Sequence, residues 1–392
     1  MGVLLEYAWE QEEESLPREI YVASSPARQK TVSPNFVSIG LIGAGNFAQG
    51  TLLPAIKATK AARLHTVVTA SGLSAKSVAQ RFGFQAAASD PSAIFEAPDI
   101  QAVVIATRHD SHAELVQQAL RAGKHVFVEK PLAIHSEELR EIGETYREVA
   151  QRSRGRPPIL MVGFNRRFAP ATQAVKDFFA ACTEPLAIHI RVNAGYLPPD
   201  HWLHDPEVGG GRILGEGCHF VDLLMYLAGV EPVEVYAQAL PDDSRYRQDN
   251  VAVQIRFANG AIGTLHYLAN GDKRLGKERI EVFGGGAVAV IDDFRRVTLS
   301  RGGKVRRIGR WWSRQDKGHQ AELAAFLEAV RSGGPSPIPS DQAVLSTLTT
   351  FKVLESLQQG RPVQIRVFTA EAAESAEGFS LDETQRIQRS RR

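Results

Sequence analysis

A lysine suited to exchanging a proton with a substrate stands in the segment Glu129-Lys130-Pro131, directly after the apolar run 125–128. A lysine that is partly desolvated near another positive charge has a lowered pKa, which favours proton transfer. Pro131 restricts the turn that aims the side chain, and Glu129 is a potential hydrogen-bonding partner. A solvated lysine at a strand end gives the same pattern, so this interpretation depends on the neighbouring motifs.

A second titratable candidate, His219, lies just after the glycine-rich segment 209–217. His219 and Asp222 are three residues apart, so on a helix they share a face. The imidazole titrates near neutral pH, and histidine is the side chain most often used for proton transfer. A single histidine on a helix is more often structural, so His219 is a candidate only together with Lys130.

The segment from Gly43 to Ala48 has the pattern G-x-G-x-x-A and follows the apolar run Val37–Ile42. The first glycine permits a tight turn, Gly45 lets the backbone approach a pyrophosphate, and Ala48 allows close packing of helix on strand. Free N–H groups at the start of the next helix would face the phosphates. The pattern predicts a dinucleotide site, the alternative being a loop that only turns tightly; the predicted contacts are Gly43, Gly45, Asn46, Phe47 and Ala48.

The second strand of a dinucleotide-binding unit usually ends in an acidic residue that binds the ribose 2′-hydroxyl. Here the chain reads Thr69-Ala70-Ser71-Gly72, without an acid. Ser71 and Lys76 are candidates to hold a 2′-phosphate instead, although Lys76 is also consistent with a solvated helix position. The sequence leaves NAD and NADP open as cofactors.

The elements that must carry these residues change in character along the chain. From Val37 onwards, short apolar strands alternate with helices, which predicts a doubly wound parallel sheet, the Rossmann architecture. After about residue 185 strands dominate, with a hairpin signal at Asn259-Gly260. This part predicts an α/β domain with a large, open, mostly antiparallel sheet, followed by two helices.

The composition is that of an ordinary globular chain, with 392 residues, 43% hydrophobic and 23% charged, which is enough for two domains at about 150 residues each. Lys+Arg (46) and Asp+Glu (44) nearly balance, which argues against a chain that coats nucleic acid.

Two cysteines are too few for a disulfide framework and favour a cytoplasmic location. No apolar run approaches the ~18 residues of a membrane span. No metal is expected, since the loop from Asp200 to Asp205 lacks cysteine and the helical H-E-x-x-H spacing.

Several ordered motifs together resemble one family, that of glucose–fructose oxidoreductase, inositol dehydrogenase and the rhizopine-catabolism protein (Gfo/Idh/MocA). The resemblance runs from about Val37 to Ile365. Its motifs are Gly43-Ala44-Gly45-Asn46-Phe47-Ala48, Ala106-Thr107 with His112, Glu129-Lys130-Pro131, Arg167-Phe168, and Gly209-Gly210-Gly211 with His219 and Asp222.

The resemblance implies an NAD- or NADP-dependent oxidoreductase that acts on a sugar, a sugar derivative or a cyclitol. Lys130 and His219 would be its catalytic residues, and Thr107, His112 and Glu129 would join Lys130 at the cofactor. We expect an arm or linker at 1–36, a Rossmann domain at 37–158, a substrate-binding and oligomerisation domain at 159–368, and a disordered tail at 369–392. The helix near 340–359 is expected to pack back on the Rossmann domain, and the open sheet to form a homodimer or homotetramer.

Substrate hydroxyls need several convergent donors and acceptors, and an aromatic ring suits the face of a sugar. The candidates are Asn165, Arg166, Asn193, His201, Trp202 and Glu216.

One position departs from the family pattern. Family dehydrogenases typically carry an aspartate four residues before the histidine, where this chain has Gly215. Glu216, three residues before His219, is a candidate to replace that carboxylate. The departure keeps two alternatives open: an NAD-dependent glycosidase that works by transient oxidation and elimination, and a non-catalytic nucleotide-binding regulator.

Overall fold

Two sheets organise the chain, and the computed structural model describes residues 19–21, 36–153, 155–242, 245–310 and 312–366. The first sheet has the strand order β1-β4-β3-β2-β5-β6-β7. All of its neighbours are parallel except the edge pair β1–β4. Its strands are β1 (Glu19–Tyr21), β2 (Val37–Ile42), β3 (Ala62–Val68), β4 (Ala86–Ala88), β5 (Ala102–Ile105), β6 (His125–Val128) and β7 (Leu160–Val162).

Helices connect these strands, as the alternating pattern predicts. They are α1 (Leu53–Thr59), α2 (Gly72–Phe82), α3 (Ser92–Phe95), α4 (His112–Arg121) and α5 (Ser136–Arg152). The strands β2, β5 and β6 are almost wholly buried, which explains why they read as continuous apolar runs rather than as alternating ones. This is the predicted Rossmann domain.

The second sheet has nine strands in the order β15-β14-β13-β12-β8-β11-β10-β9-β16. Only the β8–β11 pair is parallel. The strands are β8 (Ala187–Asn193), β9 (Pro232–Ala239), β10 (Asn250–Phe257), β11 (Ile262–Leu268), β12 (Glu278–Gly284), β13 (Ala287–Asp292), β14 (Arg296–Arg301), β15 (Lys304–Gly309) and β16 (Val363–Gln364). The large, mostly antiparallel sheet of the sequence analysis is thereby confirmed, and its hairpin turns at Gly260, whose φ is +85°.

Four further helices accompany the second sheet: α6 (Pro170–Phe178), α7 (Cys218–Ala228), α8 (His319–Ser332) and α9 (Ser340–Gln359). Helices α6, α7 and α9 cover one face of the sheet. Along β10 buried and exposed residues alternate, so the opposite face is left open. Helix α8 packs on α1 and β2, and α9 contacts both α7 and α5, so these late helices lie against both domains.

Two borders differ from those expected. Strand β7 pairs with β6, so the first sheet extends beyond the expected boundary at residue 158. The apolar residues of β7 add one more strand to the parallel sheet. Residues 19–21 of the expected arm form β1 and pair with the buried strand β4. The expected tail at 369–392 and the rest of the arm lie outside the described residues.

A short helical turn after β7, Asn165–Phe168, joins the two domains by ion pairs. Arg166 donates two hydrogen bonds of 2.8 Å to Glu278 on β12, and Arg167 donates two, of 2.8 and 2.7 Å, to Asp222 on α7. Both acids have fully buried side chains. Bidentate geometry makes such pairs strong and directional.

Among the described residues, no helix is both long enough and apolar enough to span a bilayer.

We predict that Asp222→Ala lowers the free energy of unfolding by about 3–5 kcal/mol, because it leaves the buried Arg167 guanidinium without a counter-charge. Urea denaturation followed by circular dichroism measures the change. The control is Glu144→Ala, which removes a 2.7 Å pair with Arg140 whose side chains are 52% and 43% exposed. That variant is expected to lose less than about 1 kcal/mol. Equal losses in the two variants would contradict the role given to the buried pair.

Candidate active site

The glycine loop has the geometry that a dinucleotide needs. Gly43 has φ +86°, and a Cβ there would lie 2.5 Å from the Ala106 carbonyl oxygen, so only glycine lets the loop pass the end of β5. A Cβ on Gly45 would meet nothing within 4 Å. The loop therefore leaves open space at the start of the helix that begins at Ala48, where a pyrophosphate would be held. These residues fit an NAD-type cofactor.

Ser71 is the exposed residue directly before α2, in the turn that follows β3, and Lys76 lies on the exposed side of α2. The first turn of α2 contains no acidic residue, so nothing there repels a 2′-phosphate. Neither side chain lines the cavity described next.

A cavity of about 490 Å³ opens beside the glycine loop, at the carboxyl ends of β5, β6 and β7. Ligands of open α/β sheets bind at this edge. Ten of the predicted site residues line it: Phe47, Thr107, His112, Glu129, Lys130, Asn165, Arg166, Trp202, Glu216 and His219. The remaining lining residues are Ala106, His109, Leu203, Gly215, Lys317 and His319.

Lys130 lines the cavity and donates a 2.5 Å hydrogen bond to the Gly215 carbonyl oxygen. The neighbouring Glu129 is buried, and burial raises the pKa of its carboxyl to about 7, although the Lys130 charge acts in the opposite direction. A carboxyl with such a pKa exchanges its proton near neutral pH. The predicted segment Glu129-Lys130-Pro131 therefore brings a titratable carboxyl and an ammonium group to one cavity.

His219 reaches the cavity from α7, but the described part of the chain gives it no carboxylate partner. Its Nδ1 atom is buried without a hydrogen-bond partner among the described residues. Burial lowers the pKa of this histidine well below its usual value, and the positive charges of Arg166 and Lys130 lower it further. His219 is therefore neutral at physiological pH.

The expectation that Glu216 supplies this carboxylate is wrong. Glu216 lies in a π-helical turn, Ile213–Gly217, and bonds to the Lys277 ammonium and the Tyr267 hydroxyl instead. Arg212 adds an ion pair of 3.4 Å. Although burial opposes it, the charge of Lys277 together with these bonds lowers the pKa of Glu216 to about 2. The Glu216 carboxylate is therefore bonded to Tyr267 on β11 and to Lys277, which directly precedes β12.

Two predicted substrate contacts do not line the cavity. The amide of Asn193 donates to the carbonyl oxygens of Asp272 and Leu275 and thereby holds a loop of the second sheet. His201 accepts a hydrogen bond from the Leu203 backbone N–H and caps the turn that carries Trp202. Both side chains are used to position backbone.

Two other predicted contact residues line the cavity, but their side chains already have hydrogen-bond partners within the protein. The Asn165 amide donates to the Lys317 carbonyl oxygen at 2.8 Å, and its nitrogen lies 3.1 Å from His319 Nε2. His112 lies completely buried, with Nδ1 2.7 Å from the Pro131 carbonyl oxygen, so it ties the loops after β5 and β6 together. These contacts fix the rim of the cavity.

Three residues that line the cavity were not among the predicted site residues. His109 follows β5, and its imidazole stands edge-on to Trp202 with ring centroids 4.9 Å apart. Lys317 and His319 come from the start of α8, where Phe47 of the glycine loop meets the His319 ring at 5.9 Å. Of the three, only His109 could have been found from the sequence, because its loop, Thr107–His112, follows a predicted strand. Lys317 and His319 belong to no motif.

The fold and the cavity define a class of protein: a two-domain oxidoreductase that depends on a dinucleotide. A family model described as an oxidoreductase family with an NAD-binding Rossmann fold matches residues 37–153, and the GFO/IDH/MocA C-terminal domain matches residues 180–289. The chain belongs to the Gfo/Idh/MocA oxidoreductase family.

Relatives cover most of the chain. It is 28% identical over 343 residues to the myo-inositol 2-dehydrogenase of Thermotoga maritima, which covers 83% of this chain and 98% of that protein. It is 32% identical over 233 residues to the 1,5-anhydro-D-fructose reductase of Ensifer adhaerens, covering 58% and 68% respectively. Levoglucosan dehydrogenase in complex with NADH and levoglucosan has the same fold, with a TM-score of 0.73 at 23% identity over 84% of this chain and 99% of that one.

We predict that Gly45→Ala weakens NADH binding by ~10-fold or more, because its Cβ enters the space left open for the pyrophosphate. The melting temperature should stay within ~3 °C, since no protein atom lies within 4 Å of that Cβ. Quenching of tryptophan fluorescence by NADH measures the affinity. The matched control is Gly50→Ala, where a Cβ also meets nothing within 4 Å. An unchanged affinity in Gly45→Ala would remove the loop from the cofactor site.

Proposed function

We propose that this protein is a dehydrogenase that oxidises a hydroxyl group of a sugar, a sugar derivative or a cyclitol, or runs the reverse reduction, with NAD or NADP as the hydride carrier. The observation that carries the proposal is the convergence of Lys130 and Phe47, a residue of the glycine loop, on one cavity. The relatives include an inositol dehydrogenase and an anhydrofructose reductase, which supports this substrate class.

The residues of the chain supply the proton chemistry and the positioning, while a nicotinamide nucleotide, when bound, supplies hydride transfer. Gly43, Gly45 and Ala48 would hold its pyrophosphate. Lys130 takes the proton of the substrate hydroxyl during oxidation and returns it during reduction. The neutral imidazole of His219 and the buried Glu129 carboxyl are the groups able to relay that proton.

Substrate hydroxyls would meet the polar rim of the cavity. Trp202 presents an aromatic surface that suits the apolar face of a sugar ring. Arg166 and Lys317 share the Glu278 carboxylate, so their positive charges are held in place rather than free to move. Fixed charges favour binding because less conformational entropy is lost when the substrate arrives.

The open face of the second sheet supports a homo-oligomer. Ile262 on β11 and Phe283 on β12 are each 43% exposed, and both pair in register with Ala187 on the strand between them. Three apolar side chains in a row on an uncovered sheet face favour contact with a second copy. We infer a homodimer or homotetramer. The two free cysteines favour the cytoplasm as its compartment.

We predict that Lys130→Met lowers kcat by ~100-fold or more, because general acid–base groups contribute 10²- to 10⁴-fold, about 3 to 5 kcal/mol of barrier. NADH formation is measured with a panel of myo-inositol, scyllo-inositol, levoglucosan and glucose. The control is Lys57→Met, an exposed lysine on α1. Turnover within ~3-fold of the parent would exclude Lys130 as the proton-transfer group. Cleavage of a glycoside without net NADH formation would favour the glycosidase instead.

We predict that native mass spectrometry of the full chain detects dimers or tetramers, and that Phe283→Arg shifts them towards monomer by placing a charge in the apolar row. Leu73→Arg is the control, because Leu73 is 80% exposed on the first domain, away from the second sheet. A monomeric parent protein, or equal effects of the two substitutions, would contradict an interface on this face.

A further inference from the structure

The space beside Gly215 is occupied by two side chains from other parts of the chain. A Cβ on Gly215 would lie 2.4 Å from Leu203 Cδ1 and 3.0 Å from His109 Cε1. A carboxylate side chain at this position would therefore displace both. The chain has not simply lost a carboxylate next to His219; it has placed an imidazole and an aliphatic group where such a side chain would begin.

The imidazole of His109 is held in one orientation. Its Nδ1 atom lies 2.8 Å from the Gly209 carbonyl oxygen, which only accepts hydrogen bonds, so the Nδ1 atom carries the proton. The edge-on contact with Trp202 fixes the plane of the ring. His109 is 7% exposed and lines the cavity. The remaining nitrogen, Nε2, is then an acceptor, and no hydrogen-bond partner for it is found among the described residues.

His109 and Lys130 meet at the same residue. The Lys130 ammonium bonds to the Gly215 carbonyl oxygen at 2.5 Å, and the His109 ring lies 3.0 Å from the Cβ position of Gly215. The Lys130 charge is one of the causes, after burial, that lower the pKa of His109 to about 3, so the ring stays neutral and keeps its acceptor. A sugar or cyclitol carries neighbouring hydroxyl groups, so one hydroxyl can donate to the Nε2 acceptor while Lys130 exchanges the proton of another.

We propose that His109 Nε2 accepts a hydrogen bond from a substrate hydroxyl next to the one that Lys130 deprotonates, so that His109, rather than His219, is the imidazole that positions the substrate. His219 is the weaker candidate because its Nδ1 atom has no partner among the described residues to fix the tautomer. This inference rests on the proposed function for the nature of the substrate and for the role of Lys130.

The first test needs no substrate. In the full-length protein labelled with ¹⁵N-histidine, long-range ¹H–¹⁵N spectra assign the tautomer of each ring, and the signal lost in His109→Asn identifies His109. We expect the Nδ1–H tautomer, unchanged from pH 8 to pH 6. An Nε2–H tautomer, or a charged ring in this range, would overturn the assignment.

The second test separates the two ends of the ring. The amide of His109→Asn reaches the position of Nδ1 only, whereas that of His109→Gln reaches the position of Nε2. With the best substrate of the panel above, His109→Asn should lower kcat/KM by ~10-fold or more, and His109→Gln should recover part of the loss. The dissociation constant of NADH should stay within ~2-fold in both variants.

His125→Asn is the control, since this imidazole also bonds to backbone, accepting from the Ile159 N–H at 3.0 Å, but lies at the amino end of β6 and does not line the cavity. It should leave kcat/KM within ~3-fold of the parent. Equal losses in His109→Asn and His125→Asn, or a loss carried by NADH affinity alone, would overturn the proposal. If no compound in the panel is oxidised, the proposed function fails for this class, and the tautomer alone decides the assignment of His109.

Discussion

Two consecutive arginines hold the reaction cavity together. Arg166 reaches across to Glu278 on the second sheet, while Arg167 reaches Asp222 on α7. All four side chains are almost completely buried, and a buried charge is stable only when its partner is in place. Because the arginines follow the last strand of the first sheet, these two pairs fix how the domains meet. The cavity lies at that junction, so its shape depends on the same contacts.

The ion pairs also set the electrostatics of the cavity. Lys317 joins Arg166 on the single Glu278 carboxylate, and within the described ranges Lys130 bonds only to a backbone carbonyl. The excess positive charge, added to burial, lowers the pKa of His319 to about 4 and also keeps His219 neutral. The cavity therefore offers ammonium groups and neutral imidazoles. The positive groups among them favour negative charge on an oxygen bound in the cavity.

Packing, rather than position in the sequence, decides what replaces the family aspartate at Gly215. From the sequence alone, Glu216 is the nearest carboxylate and is the obvious replacement. In the structure, the π-helical turn that contains both residues directs Glu216 to Lys277 and Tyr267, while Leu203 and His109 fill the space beside Gly215. Adjacent residues on a helical turn face different directions, so the two positions are not interchangeable.

The sequence by itself determined the features that arise from local backbone chemistry. Strand and helix periods gave the two sheets, the spacing of Gly43, Gly45 and Ala48 gave the cofactor loop, and the strand before Lys130 placed that lysine at the sheet edge where ligands bind. Tertiary structure alone decided which partner each polar side chain takes. The Asn193 amide donates to a loop about eighty residues further along the chain, and the segment that begins α8 places Lys317 and His319 at the cavity. Such choices depend on the approach of elements far apart in the chain, which local pattern does not encode.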